Sequence, residues 1–228
     1  MDLPRAAPGP AQPDPAPSNP AQPDPALSGP ARPDPAQPDP AQPDPALSGI
    51  VLAAGAGRRS GGPKALVPGW LGHAVAVLDG AGCRDVVVVL GAGAERAAAL
   101  VPAGARAVVA ADWAEGVAAS LRTGLVAVDP ATAATLVTLV DLPGMPVEAA
   151  ARLAVLARSR GRTALAQAWF GQRPGHPVLI GAEHRAALAT TLAGDAGARA
   201  YLAAHGATPV DCADLWDGAD HDGPPPPR

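Results

Sequence analysis

The chain of 228 residues carries 17 Lys and Arg against 21 Asp and Glu, which gives a formal net charge of −4. This balance excludes nucleic-acid or membrane binding driven by bulk positive charge. The 2 cysteines lack metal-ligand spacing, which excludes a disulfide-stapled domain and a cysteine-based zinc site. The sequence shows neither a signal peptide nor an apolar run of membrane-spanning length. We therefore expect a cytoplasmic protein without nucleic-acid or membrane partners.

Proline dominates the first 49 residues, which hold 16 of the 29 prolines and repeat the units AQPDP and PALSG. With almost no aromatic or β-branched side chains, this segment cannot offset the entropy cost of ordering. Its six aspartates and two arginines give this segment a net charge of −4, which equals the net charge of the whole chain. We predict a disordered, partly polyproline II tail over residues 1–47, one folded domain over 48–223 and a Pro-rich tail over 224–228. A proline-rich recognition arm remains an alternative for the first tail.

Apolar, strand-length runs alternate with helical patterns through the rest of the chain. The predicted strands cover residues 49–54, 85–90, 106–110, 135–140, 163–168, 177–180 and 208–211. The predicted helices cover residues 71–81, 94–101, 115–128, 146–160, 182–192 and 196–205. The predicted strands over residues 163–168 and 177–180 are close in the sequence, which favours a hairpin or a pair of adjacent strands. The alternation predicts an α/β fold, a Rossmann-like three-layer sandwich with a mostly parallel sheet.

A glycine-rich loop, GAGRRSGGPK over residues 55–64, follows the first predicted strand. Backbone N–H groups and cationic side chains in such a loop can converge on phosphates. The loop is not a Walker P-loop, because Lys64 is followed by Ala65 and not by a hydroxyl residue. Its glycine spacing also departs from the dinucleotide fingerprint. A glycine-rich surface turn is the alternative.

Asp141 ends the apolar run TLVTLV and is followed at once by Leu-Pro-Gly. A carboxylate at the tip of a buried strand suits a hard cation such as Mg²⁺ that also contacts phosphate oxygens. An aspartate that caps a helix or a turn is the alternative. Ligands of open α/β sheets bind beyond the carboxyl ends of the strands, so the loops after Ala54 and Val140 are predicted to form one site.

Five motifs, in order over residues 49–222, give the chain a resemblance to nucleotidyltransferases, and in detail to the molybdenum cofactor cytidylyltransferases. They are Leu52-Ala-Ala-Gly55-x-Gly57-x-Arg59-x-Gly61-x-x-Lys64, Trp113-Ala-Glu-Gly116-x-x-x-Ser120-Leu-x-x-Gly124, Asp141-Leu-Pro143, Gly175-His-Pro-Val178 and Gly194-Asp-x-Gly-Ala-Arg199. The resemblance implies transfer of CMP from Mg²⁺·CTP to the terminal phosphate of molybdenum cofactor, with release of pyrophosphate. No side-chain general base is required, because the acceptor phosphate is already a nucleophile.

The same resemblance implies roles for individual residues. The nucleotide-binding set is Leu52, Ala53, Ala54, Gly55, Gly57, Arg59, Gly61, Lys64 and Ser120. Arg59, Lys64 and Asp141 form the catalytic set, in which the two cations meet charge on the pyrophosphate. The acceptor side holds His176, Asp195 and Arg199, and the metal ligands are Asp141, Asp220 and Asp222. Relatives that use GTP commonly carry LAGG, so Ala54 favours CTP.

Alternatives remain open at several of these positions. Trp113 and His176 could be structural, and Asp195 and Arg199 could form an i,i+4 pair. The stretch over residues 65–82 is shorter than in relatives, and we expect Trp70 to cover part of the gap. The DHD sequence over residues 220–222 departs from a DxDTP-like motif, which puts metal binding there in doubt. Guanylyl or other nucleotidyl transfer, and a non-catalytic nucleotide- or cofactor-binding protein, are the alternative functions, and a client molybdoenzyme is an expected partner.

Overall fold

The computed structural model of the chain describes residues 45–58 and 60–221, which belong to one compact unit. Most of the predicted N-terminal tail, Arg59, Asp222 and the predicted tail over 224–228 therefore lie outside the described residues. Within the described part, no helix is both long and apolar enough to span a bilayer.

Strands and helices alternate along the described chain as the hydrophobic pattern predicts. The strands are β1 Leu47–Ala53, β2 Cys83–Leu90, β3 Ala105–Val109, β4 Ala134–Leu139, β5 Leu165–Phe170, β6 Arg173–Gly181 and β7 Thr208–Asp211. The helices are α1 Trp70–Gly80, α2 Ala94–Ala98, α3 Val117–Ala127, α4 Val147–Arg160, α5 Ala182–Thr191 and α6 Arg199–Ala204. Short 3-10 turns cover Lys64–Leu66, Trp113–Glu115 and Gly161–Thr163.

In the described part of the chain, the seven strands form one sheet in the order β3-β2-β1-β4-β6-β5-β7. Strands β1 to β4 run parallel, β6 is antiparallel to both β4 and β5, and β7 is parallel to β5. The fold class predicted from the sequence is therefore confirmed, and β5 and β6 form the predicted hairpin. β1 is buried along its whole length, as the run LSGIVLA leads one to expect for a central parallel strand.

The sheet separates two hydrophobic layers. One layer packs α1 and α4 on the sheet around Leu78, Met145 and Leu153. The other packs α3, α5 and α6 on the opposite face around Ile50, Leu125 and Leu188. Trp70 lies in the first layer and is 3% exposed, so the short connection after the glycine-rich loop is filled by a core side chain at the start of α1.

Three predicted helices are shorter in the structure by three or four residues. Gly116 separates a 3-10 turn from α3, so the predicted helix over 115–128 is interrupted at its start. α2 ends at Ala98, after which the Leu100 and Val101 N–H groups donate to the Ala97 and Ala98 carbonyl oxygens in tight turns. The predicted helix over 196–205 begins only at Arg199, because residues 193–196 form a tight turn closed by a bridge between Ala193 and Ala196.

The start of β1 is anchored by buried polar contacts. The Ser48 and Thr132 hydroxyls lie 2.8 Å apart, and the buried Arg185 Nη2 donates to the Thr132 hydroxyl at 2.7 Å. Leu47 is 6% exposed and pairs with Cys83 and Ala134. The first strand thus begins two residues earlier than predicted, and Leu47 belongs to the core.

This anchoring predicts different outcomes for two N-terminal truncations. We expect removal of residues 1–44 to leave the melting temperature nearly unchanged, because every described contact of β1 is kept. Removal of residues 1–48 should lower the free energy of unfolding by about 2–5 kcal/mol, from the lost burial of Leu47 and the lost hydroxyl partner of Thr132. Chemical denaturation of both proteins checks this, and equal stability of the two would contradict the account.

Candidate active site

A cleft of about 450 Å³ lies at the carboxyl ends of β1 and β4. In the sheet, β2 lies on one side of β1 and β4 lies on the other side. The strand order therefore reverses direction between β1 and β4, and the cleft occupies this topological switch point. Its volume lies in the range of small-molecule sites. Its lining consists of Leu52, Ala53, Ala54, Gly55, Ala56, Gly57, Arg58, Ser60, Lys64, Trp113, Ala114, Gly116, Val117, Ser120, Leu139, Val140, Asp141 and Asp195.

The glycine-rich loop forms one end of the cleft and is closed on the carbonyl oxygen of Gly57. The backbone N–H groups of Ser60 and Gly62 donate to this oxygen at 3.0 and 3.1 Å. Gly57 has a φ of +59°, and a Cβ atom there would lie 1.7 Å from the Gly62 carbonyl oxygen. A glycine is therefore required at this position. Gly61 is part of the loop but does not line the cleft.

Lys64 and Asp141 meet across the cleft. Lys64 Nζ donates to Asp141 Oδ2 at 2.8 Å, and the two side chains are 16% and 18% exposed. The Val140 backbone N–H donates to the Leu52 carbonyl oxygen at 3.1 Å, so the two loops leave the sheet side by side. The structure thus brings together the loop and the aspartate that the sequence assigned to one site. A pair of this geometry is a strong, charge-assisted hydrogen bond.

The opposite wall comes from α3 and the turn before α6. The Ala118 N–H donates to the Gly194 carbonyl oxygen at 3.0 Å, and Arg122 Nη2 donates to the Leu192 carbonyl oxygen at 2.7 Å. These bonds hold the turn against α3, so that Asp195 lines the cleft. Because Asp195 precedes α6, it cannot form the i,i+4 helical pair with Arg199 that the spacing allowed.

Trp113 and Ser120 also lie on this wall. The sequence left Trp113 open between a core anchor and a site residue. In the structure the half-buried Trp113 packs against the second hydrophobic layer and also lines the cleft. Sequence reasoning missed Arg58 and Val117, which also line the cleft. The position of Arg58 inside the glycine-rich loop was the available signal, whereas nothing in the sequence distinguishes Val117 from a core residue.

His176 lies near Asp141 but outside the lining of the cleft. Its Nδ1 donates to the Val137 carbonyl oxygen at 3.3 Å, because a carbonyl can only accept. Burial lowers the pKa of His176, and this effect outweighs the opposing influences of that hydrogen bond and of the Asp141 carboxylate. The imidazole is therefore neutral at pH 7, with its proton on Nδ1.

The segment after β7 returns to the cleft. The His221 backbone N–H donates to the Asp141 carbonyl oxygen at 2.9 Å. Asp220 is exposed and, like Arg199, does not line the cleft. Among the described residues no three His, Cys, Asp or Glu side chains are grouped to hold a metal ion. Asp141 and Asp195 are the described carboxylates that line the cleft.

Comparison with known proteins agrees with this geometry. Residues 49–209 match the MobA-like NTP transferase domain. The chain belongs to this family. Nicotine blue oxidoreductase of Paenarthrobacter nicotinovorans is 40% identical over 192 residues, covering 77% of this chain and 92% of that protein. The family resemblance inferred from the five motifs is thus confirmed, and by family the chain is a MobA-like nucleotidyltransferase.

Solved structures show the same architecture as this MobA-like chain. Rv0371c from Mycobacterium tuberculosis H37Rv superposes with a TM-score of 0.66 at 27% identity, over 79% of this chain and 95% of that one. Its homologue from Mycobacterium sp. strain JC1 gives 0.63 at 28% identity, over 78% and 90% of the two chains.

The loop geometry yields a paired prediction on glycine substitutions. Gly57→Ala should open the loop and weaken nucleotide binding by at least about tenfold, because the new methyl group collides with the Gly62 backbone. Gly62→Ala is the matched control in the same loop, since Gly62 does not line the cleft and no atom lies within 4 Å of a Cβ there. Melting curves and calorimetric titrations of both variants with a nucleoside triphosphate measure the difference. Equal behaviour of the two variants would show that loop closure on Gly57 is not needed.

Proposed function

We propose that this chain transfers CMP from CTP to the terminal phosphate of molybdenum cofactor and releases pyrophosphate. The observation that carries the proposal is the meeting of the glycine-rich loop with Lys64 and Asp141 in one cleft. Membership of the MobA-like NTP transferase family supports the reaction class.

The side chains of the cleft suit a reaction that depends on positioning and charge neutralisation. Backbone donors of the glycine-rich loop would hold the triphosphate, while Arg58, Arg59 and Lys64 would meet its negative charge. When phosphates enter, Lys64 can turn from the Asp141 carboxylate to the phosphate oxygens. Asp141 would then hold Mg²⁺ together with those oxygens, and the bound ion would neutralise charge on the pyrophosphate leaving group.

The preference for CTP is proposed from Ala54. This residue is 4% exposed, directly follows β1 and lines the cleft beside Gly55. Its position in the wall makes it able to contact a bound nucleotide directly. Guanylyl transfer is the alternative, and a direct comparison of the transfer rates with CTP and with GTP distinguishes the two.

The acceptor is proposed to bind against Asp195, which lines the cleft. His176 and Arg199, which do not line it, are proposed as acceptor-side residues from the family resemblance alone. Asp195 presents an exposed carboxylate that can accept hydrogen bonds from hydroxyl or amino groups of an acceptor. Asp220 and Asp222 remain proposed as further metal ligands, and a client molybdoenzyme as the recipient of the product.

The cysteines support the proposed cytoplasmic location. Cys83 and Cys212 are both buried and unpaired. Burial raises the pKa of the Cys83 thiol to about 12, and the carboxylates of Asp79 and Asp85 act in the same direction. The thiol therefore stays protonated and unreactive, which suits a reducing compartment.

A second candidate function follows from the 40% identity to nicotine blue oxidoreductase. A cleft that binds the phosphates of CTP could also bind the pyrophosphate of a nicotinamide dinucleotide, since both ligands present adjacent phosphate groups. The glycine spacing of this loop departs from the dinucleotide fingerprint, which favours the nucleotidyltransferase. Titration with CTP, GTP and NADH, each with and without Mg²⁺, separates the two candidates.

Substitution of Asp141 tests the proposed metal ligand. Asp141→Asn should leave less than about a tenth of the magnesium-dependent transfer activity, a barrier change of at least ~1.4 kcal/mol, because the amide keeps the shape but loses the charge. Asp85→Asn is the matched control. Its carboxylate is also 18% exposed and also ion-paired, with Arg106, but it lies at the opposite end of the sheet. Equal activity of the two variants would contradict the role of Asp141.

Substitution of Lys64 tests the charge partner of the phosphates. Lys64→Ala should lower transfer by roughly a hundredfold, the scale of losing one preorganised donor in a transition state. Initial rates and melting temperatures are measured together. An unchanged rate with a lower melting temperature would show that Lys64 is structural.

A further inference from the structure

The direction of the Asp141 side chain depends on a short turn. Asp141 lies beyond the end of β4 at Leu139, and the turn over residues 141–145 closes when the Met145 N–H donates to the Leu142 carbonyl oxygen at 3.1 Å. Met145 is 1% exposed, and its sulfur accepts a hydrogen bond from the Thr138 hydroxyl at 3.7 Å. Met145 is thus the fixed end of the turn that carries the aspartate.

One side chain from α1 reaches this fixed end. His73 Nε2 donates to the Met145 carbonyl oxygen at 2.9 Å. Met145 lies before α4, and the first backbone hydrogen bond at the start of that helix is accepted by the Pro146 carbonyl oxygen. The helix therefore provides no N–H donor for the Met145 carbonyl oxygen. Without the imidazole, a carbonyl on a buried residue would lose its described hydrogen bond.

The position of His73 is itself fixed by the start of α1. Gly69 has a φ of +82° and precedes the helix, and the His73 backbone N–H donates to the Gly69 carbonyl oxygen at 2.9 Å. His73 therefore sits in the first turn of α1, directly after the short connection that follows the glycine-rich loop. The hydrogen bond from His73 to Met145 adds to the ion pair between Lys64 and Asp141 in connecting the loop that carries Lys64 to the turn that carries Asp141.

We propose that His73 is a positioning residue for Asp141. It acts by holding the Met145 carbonyl, so that the carboxylate stays within reach of a cation bound to the triphosphate. The inference rests on the proposed function for its catalytic consequence, whereas the hydrogen bond itself belongs to the fold. A displacement of about 1 Å in a reacting group can cost on the order of a hundredfold in rate, so a single anchoring bond can control activity.

Two substitutions separate positioning from simple packing. His73→Leu fills similar space but removes the N–H donor, and His73→Gln keeps an N–H donor at a comparable distance from the backbone. For each protein, calorimetry with CTP is run with and without Mg²⁺, and hydrogen exchange is followed over residues 141–149. We expect His73→Leu to lose roughly tenfold or more of the magnesium-dependent gain in CTP affinity, while affinity without Mg²⁺ is unchanged.

In the His73→Leu variant, backbone amide hydrogens over residues 141–149 should exchange faster than in the wild-type protein. His73→Gln should behave like the wild-type protein in both measurements. If His73→Leu failed to give a cooperative melting transition, His73→Asn would replace it, because its amide is too short to reach Met145. Wild-type behaviour of the donor-lacking or short variant overturns the inference while the proposed function stands. Absence of magnesium-dependent CTP binding in the wild-type protein overturns the proposed function, and the catalytic role of His73 with it.

Discussion

The parallel pairing of β1 with β4 is the constraint on which the site depends. Leu52 pairs with Leu139 at the carboxyl ends of these strands, so the glycine-rich loop and the Asp141 turn must emerge side by side. The ion pair between Lys64 and Asp141 follows from that adjacency, as does the cleft between the two loops. The rest of the fold supports this junction, with one helical layer packed on each face of the sheet.

The hydrophobic pattern was sufficient to predict the order and type of the described strands and helices, because buried parallel strands such as DVVVVL have no polar face. It failed at helix ends, where Gly116 and the turn over residues 193–196 interrupt apparently helical spacing. The sequence also indicated the loop, the aspartate and their common edge. It could not indicate His73, whose partner is a backbone carbonyl 72 residues away and leaves no trace in residue type or spacing.

Family membership does not by itself fix the activity of this chain. A nucleotidyltransferase domain covers residues 49–209, yet a relative with 40% identity is named for an oxidoreductase activity. One scaffold can host different chemistries when the residues of its site change. The features that favour nucleotidyl transfer here are local: the loop closed on Gly57, the Lys64–Asp141 pair, and a cleft large enough for a nucleotide.

The most direct test of the central claim follows a labelled phosphate. The protein is incubated with Mg²⁺, molybdenum cofactor and CTP labelled at the α-phosphate, and the products are separated and identified. The account predicts that the label moves into a dinucleotide form of the cofactor, with one pyrophosphate released per label transferred. Label that stays in CTP, with no pyrophosphate released, would contradict the account.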